Sequence, residues 1–383
     1  MIRLMHLLSH DVGIHASMPF CLPLAARGWD VSFACPPGPC TELAAHHRMA
    51  VKPLALRRTL HAPSDLAGAI QLLRYFRGER PHIVHTHNIK VGHMGRVLAA
   101  AARVPIVVHT LHGLAYSLET PMLKRLGHTA LEWIANRRVD VVLAQSDEDR
   151  QTLVESGAIS GDRVEWIGNG IDLRRFVPGA VPAAARARIR TELGLNDHDV
   201  LFLSAGRLVR EKGFVELFEA AALARENDRR IHVAVAGDLD MDKADSLDAR
   251  TLAVARDAGV NLLGRRGDMP ELYSAADVVA LLSWREGLPR TLMEGAAMGK
   301  PLLAADTRGC REVVRPERNG LLVPVRDPAS LATAMLEMAS APERRRVWGS
   351  HNQNEASRLY DLDAVVGRVV AVYDRLLRER HLI

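Results

Sequence analysis

Short apolar runs alternate with longer amphipathic segments along the whole chain. In the first half the runs are Arg3–Leu8, Asp30–Ala34, Ile83–Thr86, Ile106–Thr110 and Val139–Ala144. In the second they are Val200–Ser204, His232–Ala236, Val260–Leu263, Val278–Leu282, Pro301–Ala305 and Gly320–Val323. Most are apolar at successive positions rather than at every other one, which predicts strands covered on both faces. Strands of that kind separated by helical segments specify parallel, doubly wound sheets. The two sets of runs meet at a polar connection, Gly168–Pro178, where Asn169-Gly170 and Pro178-Gly179 are turn signals. The expected architecture is α/β, with two Rossmann-like doubly wound domains facing a cleft. The final stretch, Leu362 to Leu377, places Val365, Val366, Val369, Val370, Tyr373, Leu376 and Leu377 at helical spacing.

Candidate chemistry begins at Glu286-Gly-Leu-Pro-Arg-Thr-Leu-Met-Glu294, between a strand-like run and a helix-like one. Carboxylates eight apart are not adjacent on a helix, where neighbours lie three or four apart, and a Gly-Leu-Pro turn lies between them. Glu286 is therefore expected on the loop, and Glu294 within the first helical turns. The N–H groups from Leu288 onward would then be the unpaired donors of a helix N-terminus, suited to a phosphate. Pro289 fits an early helical position. Two hydroxyl-binding carboxylates beside an anion site are what a sugar nucleotide requires. A surface loop with two solvated glutamates would look the same in isolation. A second phosphate-type element changes that weighting: the strand-like Leu201–Gly206, then Arg207-Leu-Val-Arg-Glu-Lys-Gly213 and a helix. Arg207 offers a planar fork to two phosphate oxygens, and Lys212 offers a mobile point charge. Positive charge there would stabilise a departing diphosphate.

These elements resemble the nucleotide-binding half of retaining, GT-B-fold glycosyltransferases of family 4 (group 1). The resemblance rests on Ser204–Gly213, Leu263-Gly264, Tyr273–Asp277, Ser283–Arg290, Glu294 and Arg308–Glu312, in that order. It extends to the first half through His85-Thr-His87, Lys90, Val108–Gly113 and Gly168–Asp172. It implies that Glu286 accepts hydrogen bonds from donor-sugar hydroxyls, with the N–H groups of Gly287 and Leu288 near the phosphate. It also implies that Glu294 binds the ribose and that His112 approaches the donor sugar near its reacting carbon. The last helix is expected to cross back onto the first domain, giving domains 1–168 plus 362–383 and 169–361. Backbone groups at Arg265 are candidates for reading the base. On the acceptor side the candidates are His87, Asn88 and Lys90, together with Gly13 and His15. The family often pairs two glycines in that first loop, whereas this chain has Val12 before Gly13. His85 and His109 are expected inside strands as structural groups.

Two further segments allow two readings each. Asp238-Leu-Asp240-Met-Asp242 contains overlapping D-x-D patterns, which could hold a divalent metal or form a solvated acidic loop. The solvated loop is favoured, so neither metal nor cofactor is expected. Met122 to Arg138 combines apolar positions with Lys124, Arg125, Arg137 and Arg138. It could lie on an anionic membrane or turn its apolar side to the core.

Composition narrows the partners. The chain has 383 residues, 48% hydrophobic and 25% charged, ample for two packed domains. A formal charge of +5 favours anionic partners such as nucleotide phosphates, lipid phosphates or a negative membrane surface. Aromatics are 4%, too few for nucleic-acid stacking platforms, and no nucleic-acid motif is present. Four cysteines without metal-ligand spacing point to a reducing cytosol. The N-terminal run reads as a strand, not a signal peptide, and no run is long enough to span a bilayer. The expected protein is cytoplasmic, with peripheral membrane contact.

The expected reaction is retaining, metal-independent hexosyl transfer from a nucleoside-diphosphate sugar to a hydroxyl. The donor is expected to be UDP-linked, with an N-acetylhexosamine among the candidates. The acceptor would be a saccharide or polyprenyl-diphosphate-linked glycan in surface-polysaccharide assembly. With no evident carboxylate nucleophile, front-face transfer fits, the donor phosphate taking the acceptor proton. A nucleotide-sugar 2-epimerase of the same fold, or a non-catalytic nucleotide-sugar-binding protein, are the alternatives. A nicotinamide dehydrogenase is disfavoured because no G-x-G-x-x-G follows either first strand.

Overall fold

The computed structural model describes every residue except 58–60, 117–119 and 242. The chain divides into two compact units, Met1–Gly168 with Asp363–Ile383, and Asn169–Leu362. The second crossing thus falls after Leu362, one residue later than the expected boundary.

In unit 1 the strands are β1 Arg3–Leu7, β2 Asp30–Cys35, β3 Ala50–Pro53, β4 Ile83–His87, β5 Ile106–Leu111, β6 Val141–Ala144 and β7 Val164–Trp166. They form one parallel sheet in the order β3-β2-β1-β4-β5-β6-β7. In unit 2, β8 Val200–Ala205, β9 Ile231–Ala236, β10 Asn261–Leu262, β11 Val278–Leu281, β12 Leu302–Ala305 and β13 Gly320–Val323 form a second. Its order is β10-β9-β8-β11-β12-β13, also parallel. Both orders reverse direction beside the first strand of their set, the switch point where such sheets bind ligands at their carboxyl edge.

The successive apolar positions are used on both faces, as the pattern requires. In unit 2, Phe202, Val233, Val278 and Leu303 pack under one helical layer. Leu201, Leu203, Val279 and Leu302 pack under the other. In unit 1, Leu4, Ile83, Val108 and Val141 form one core with Val365, Val369, Val372, Tyr373 and Leu376 of the last helix. That helix, Leu362–Glu379, therefore completes the first unit with the apolar stripe read from sequence. The edge strands β3 and β7 were not among the expected runs. Among the described residues no helix is long and apolar enough to cross a membrane, and all four cysteines are free thiols.

Candidate functional site

At the carboxyl edge of the second sheet, three chain segments are pressed together closely enough to require glycine. Gly213 has φ of +71°, and a Cβ there would lie 2.0 Å from the Leu282 carbonyl oxygen. Gly309 has φ of +70°, and its Cβ would lie 1.6 Å from the Gly287 carbonyl oxygen. No L side chain fits either position. The loop after β8 is thereby held against the end of β11, and the loop after β12 against the Glu286-Gly287 turn. The Trp284 N–H donates to the Glu211 carbonyl at 2.9 Å. Its indole Nε1 donates to Glu216 at 3.0 Å, and Arg326 lies over the ring at 3.8 Å.

This packing brings Lys212 to Glu286, Nζ to Oε1 at 2.5 Å, with side-chain exposures of 20% and 13%. Arg207 lies on the same loop, its guanidinium bonded to Asp240 Oδ2 at 2.5 Å. The D-x-D segment therefore supplies a counter-ion to the arginine. Asp242 lies outside the described residues. Sequence reasoning missed the Arg207–Asp240 pair, because it joins loops from different strands.

Glu294 sits within the helix Arg290–Ala297, whose Thr291 hydroxyl donates to the Ala205 carbonyl at the end of β8 at 3.1 Å. Tyr273 donates to Glu294 Oε2 at 3.0 Å, and Arg290 to Oε1 at 3.3 Å. Burial pushes the Glu294 carboxyl above its ordinary range, against the opposing pull of Arg290 and Tyr273. The expected place of Pro289 needs correction. It is the N-cap, with φ −77° and ψ 114°, so the helix starts one residue later. The donors its ladder leaves unpaired then begin at Arg290, not Leu288. Leu288 is buried and its carbonyl accepts from Asn169 Nδ2 at 3.2 Å. That contact gives Asn169, read from sequence as part of the connecting segment Gly168–Asp172, a part in shaping the site. Arg265 is exposed beyond β10, whereas its neighbour Arg266 is tied to Glu192 and Asp268.

Unit 1 carries a chain of imidazoles at the carboxyl edge of its sheet. Strand register sets His6 beside His85, and His87 beside Thr110. Alternation along β4 keeps His85 and His87 on one face. His6 Nδ1 lies 3.0 Å from His87 Nε2. His87 Nδ1 lies 3.1 Å from His112 Nε2, and His112 Nδ1 lies 3.1 Å from Gln145 Oε1. His85 is bonded to Thr110 at 2.7 Å and to Tyr373 of the last helix. Burial lowers the pKa of His6 to about 3 and those of His85 and His87 well below the ordinary imidazole value. Those rings are neutral, each with one donor and one acceptor nitrogen. If the Gln145 oxygen accepts from His112, every bond in the chain has its direction set. His6 Nε2 ends the chain buried and without a partner. His6, His85 and His87 bring ring nitrogens within 4.8 Å of one another, as metal ligands can. Their rings are tilted or stacked, however, with His85 and His87 4.3 Å apart, and their nitrogens bond mainly to each other and to Thr110 and Tyr373.

The other acceptor-side candidates are less open than expected. His87 is buried with both ring nitrogens engaged. Lys90 is ion-paired with Asp65 at 2.5 Å, in the helix Ile89–Ala101. Asn88, with φ of +60°, accepts from the Ser9 hydroxyl at 2.9 Å and ties the β1 and β4 loops together. Gly13 lies inside the helix Val12–Ala26, not in a loop, and abuts Leu8. His15 is exposed on that helix.

The second unit is a doubly wound Rossmann-like fold with paired cations and carboxylates, Lys212–Glu286 and Arg207–Asp240, at its switch-point edge. Comparison with known proteins gives the family. Residues 185–355 match the family described as Glycosyl transferases group 1, and residues 20–175 match Glycosyltransferase Family 4. The D-inositol 3-phosphate glycosyltransferase of Xylanimonas cellulosilytica is 30% identical over 307 residues, 78% of this chain and 73% of that one. The UDP-Gal:alpha-D-GlcNAc-diphosphoundecaprenol alpha-1,3-galactosyltransferase of Escherichia coli is 28% identical over 315 residues, 81% of this chain and 80% of that one. The fold matches HepE of Anabaena, solved in complex with UDP-glucose, with a TM-score of 0.81 at 19% identity over 98% of this chain and all of that one. The chain belongs to the GT-B glycosyltransferases of group 1 and family 4, which use nucleotide-sugar donors.

Proposed function

We propose that this protein transfers a hexosyl unit, with retention, from a UDP-sugar to a hydroxyl of a lipid-linked or saccharide acceptor. The acceptor belongs to surface-glycan assembly, at the inner face of the cell membrane. The observation that carries this reading is the Lys212–Glu286 pair beside Arg207. Lys212 and Arg207 take the diphosphate, Glu286 the sugar hydroxyls and Glu294 the ribose. His112, in the other unit, is assigned to the donor sugar on its motif. Support for the donor and acceptor classes comes from the Escherichia coli relative, whose name gives UDP-Gal and a diphosphoundecaprenol-linked acceptor. Arg207 and Lys212 are the two cations that would offset phosphate charge without a metal, once the diphosphate takes the place of Asp240 and Glu286 as their counter-ions.

The test is thermal unfolding with UDP, GDP and ADP, each with magnesium and with EDTA. A ligand that binds only the folded state stabilises it by an amount that grows with the logarithm of its concentration over its dissociation constant. UDP is expected to raise Tm equally in both conditions. A GDP response would replace the donor class, and a magnesium requirement would overturn metal independence.

Glu294 gives a pH test of the ribose assignment. A carboxyl whose folded pKa is raised contributes stability that is complete below the unfolded value and lost as pH rises through the folded value. Glu294→Gln removes that loss. The ligand-free variant should therefore match the wild type near pH 4 and exceed its Tm at pH 7. The same variant should bind UDP about 10- to 100-fold more weakly, since the charged acceptor is gone. Unchanged UDP affinity would remove Glu294 from the ribose.

A further inference from the structure

The helix Met122–Asn136 is built inside out. At 100° per residue its apolar side chains occupy one half of the surface. Met122, Leu123, Leu126, Leu131, Trp133 and Ile134 are all exposed, by 50% to 81%. The buried positions are Glu132, Ala135 and Asn136. Glu132 accepts from Arg96 at 3.1 Å and pairs with His93 at 2.9 Å, while Arg96 also donates to Asn136. A polar inner face is thus held by the neighbouring helix Ile89–Ala101, and the apolar face is turned to solvent. Soluble proteins rarely expose a contiguous apolar patch of this kind without a partner for it.

The charges beside the patch select the partner. Lys124, Arg137 and Arg138 are exposed at its two ends, and Arg137 lies 5.2 Å over the Trp133 ring. The one acid between Met122 and Arg138 is Glu132, turned inward. A second copy docked antiparallel on this face would bring cationic ends against cationic ends. An anionic bilayer surface instead takes the apolar side chains below its headgroups and the cations among them. We propose that the outward face of Met122–Asn136 seats the protein on an anionic membrane. This deepens the lipid-linked-acceptor reading and rests on it for what the docking serves: it would bring the first unit to a substrate that stays in the bilayer.

The experiment is flotation of the full chain with vesicles of phosphatidylcholine, with and without phosphatidylglycerol, beside sedimentation of the protein alone. The wild type should float with anionic vesicles and less with neutral ones. The variant L123S/L126S/W133S should lose about tenfold or more in partitioning, with Tm unchanged because these side chains are already exposed. Lys124→Glu with Arg138→Glu should abolish the preference for anionic lipid, as high salt should. Wild-type binding by the triple variant, or no vesicle binding by the wild type, would overturn the proposal. A wild-type dimer made monomeric by the triple variant would overturn it too, by naming a second copy as the occupant. Donor turnover measured in parallel separates the two readings. Vesicle binding through this face without turnover sinks the transferase reading alone, and turnover without vesicle binding sinks the docking alone.

Discussion

Replacing Lys212 by Met is expected to lower kcat/KM for the donor roughly 10²–10³-fold, with Glu286→Ala falling by a similar factor. In the ligand-free protein these two groups hold each other at 2.5 Å in a largely covered loop. Neither charge is solvated well, and each is the other's main compensation. A nucleotide sugar offers both something better: a diphosphate for the ammonium and sugar hydroxyls for the carboxylate. Charge on the departing phosphate grows as the glycosidic bond breaks, so the lysine's contribution is larger in the transition state than in the ground state. Loss of one such preorganised charge typically costs about 10²–10³ in rate, equivalent to ~2.7–4 kcal/mol. Initial-rate kinetics and unfolding curves for the two single variants and the double variant test this. The single variants should also be less stable than the double, because each leaves a half-buried charge alone. Normal turnover in both single variants would remove the pair from the site.

The reach of the sequence follows from which interactions are local. Runs such as Val200–Ser204 and Val278–Leu282 must be apolar at successive positions because helices cover both faces, so β8 and β11 were readable to within a residue or so. β3 and β7 were not, since Lys52 and Glu165 interrupt short edge strands. Glu286 and Glu294 could be separated into loop and helix because Gly287-Leu288-Pro289 interrupts any helix between them. The partner of Arg207 could not, because Asp240 arrives from the far side of β9. The helix Met122–Asn136 shows the sharpest limit. Periodicity fixes an apolar half-surface, but which half is covered depends on Arg96, a neighbouring helix's buried cation that needs Glu132 and Asn136.

The imidazole chain of unit 1 gives the second large effect, expected on kcat alone. His112 is held by two bonds, one to Gln145 and one to His87, which fix both its ring orientation and its proton. His87→Leu removes one of them and keeps an apolar volume on a buried strand. The His112 ring is then free to rotate or to change tautomer, and kcat should fall about 10- to 100-fold, the usual effect of losing an orienting partner behind an active group. UDP binding, placed in the other unit, should be unchanged, so the UDP-induced rise in Tm separates misorientation from misfolding. Gln145→Glu tests the same bond from the other side. A carboxylate can only accept here, so it preserves the Nδ1–H tautomer while favouring imidazolium, which raises the pKa of His112. If His112 must be neutral to act, the acid limb of the kcat profile should move to higher pH in that variant. An unmoved limb together with full activity in His87→Leu would reduce the ring chain to packing between β1, β4 and the last helix.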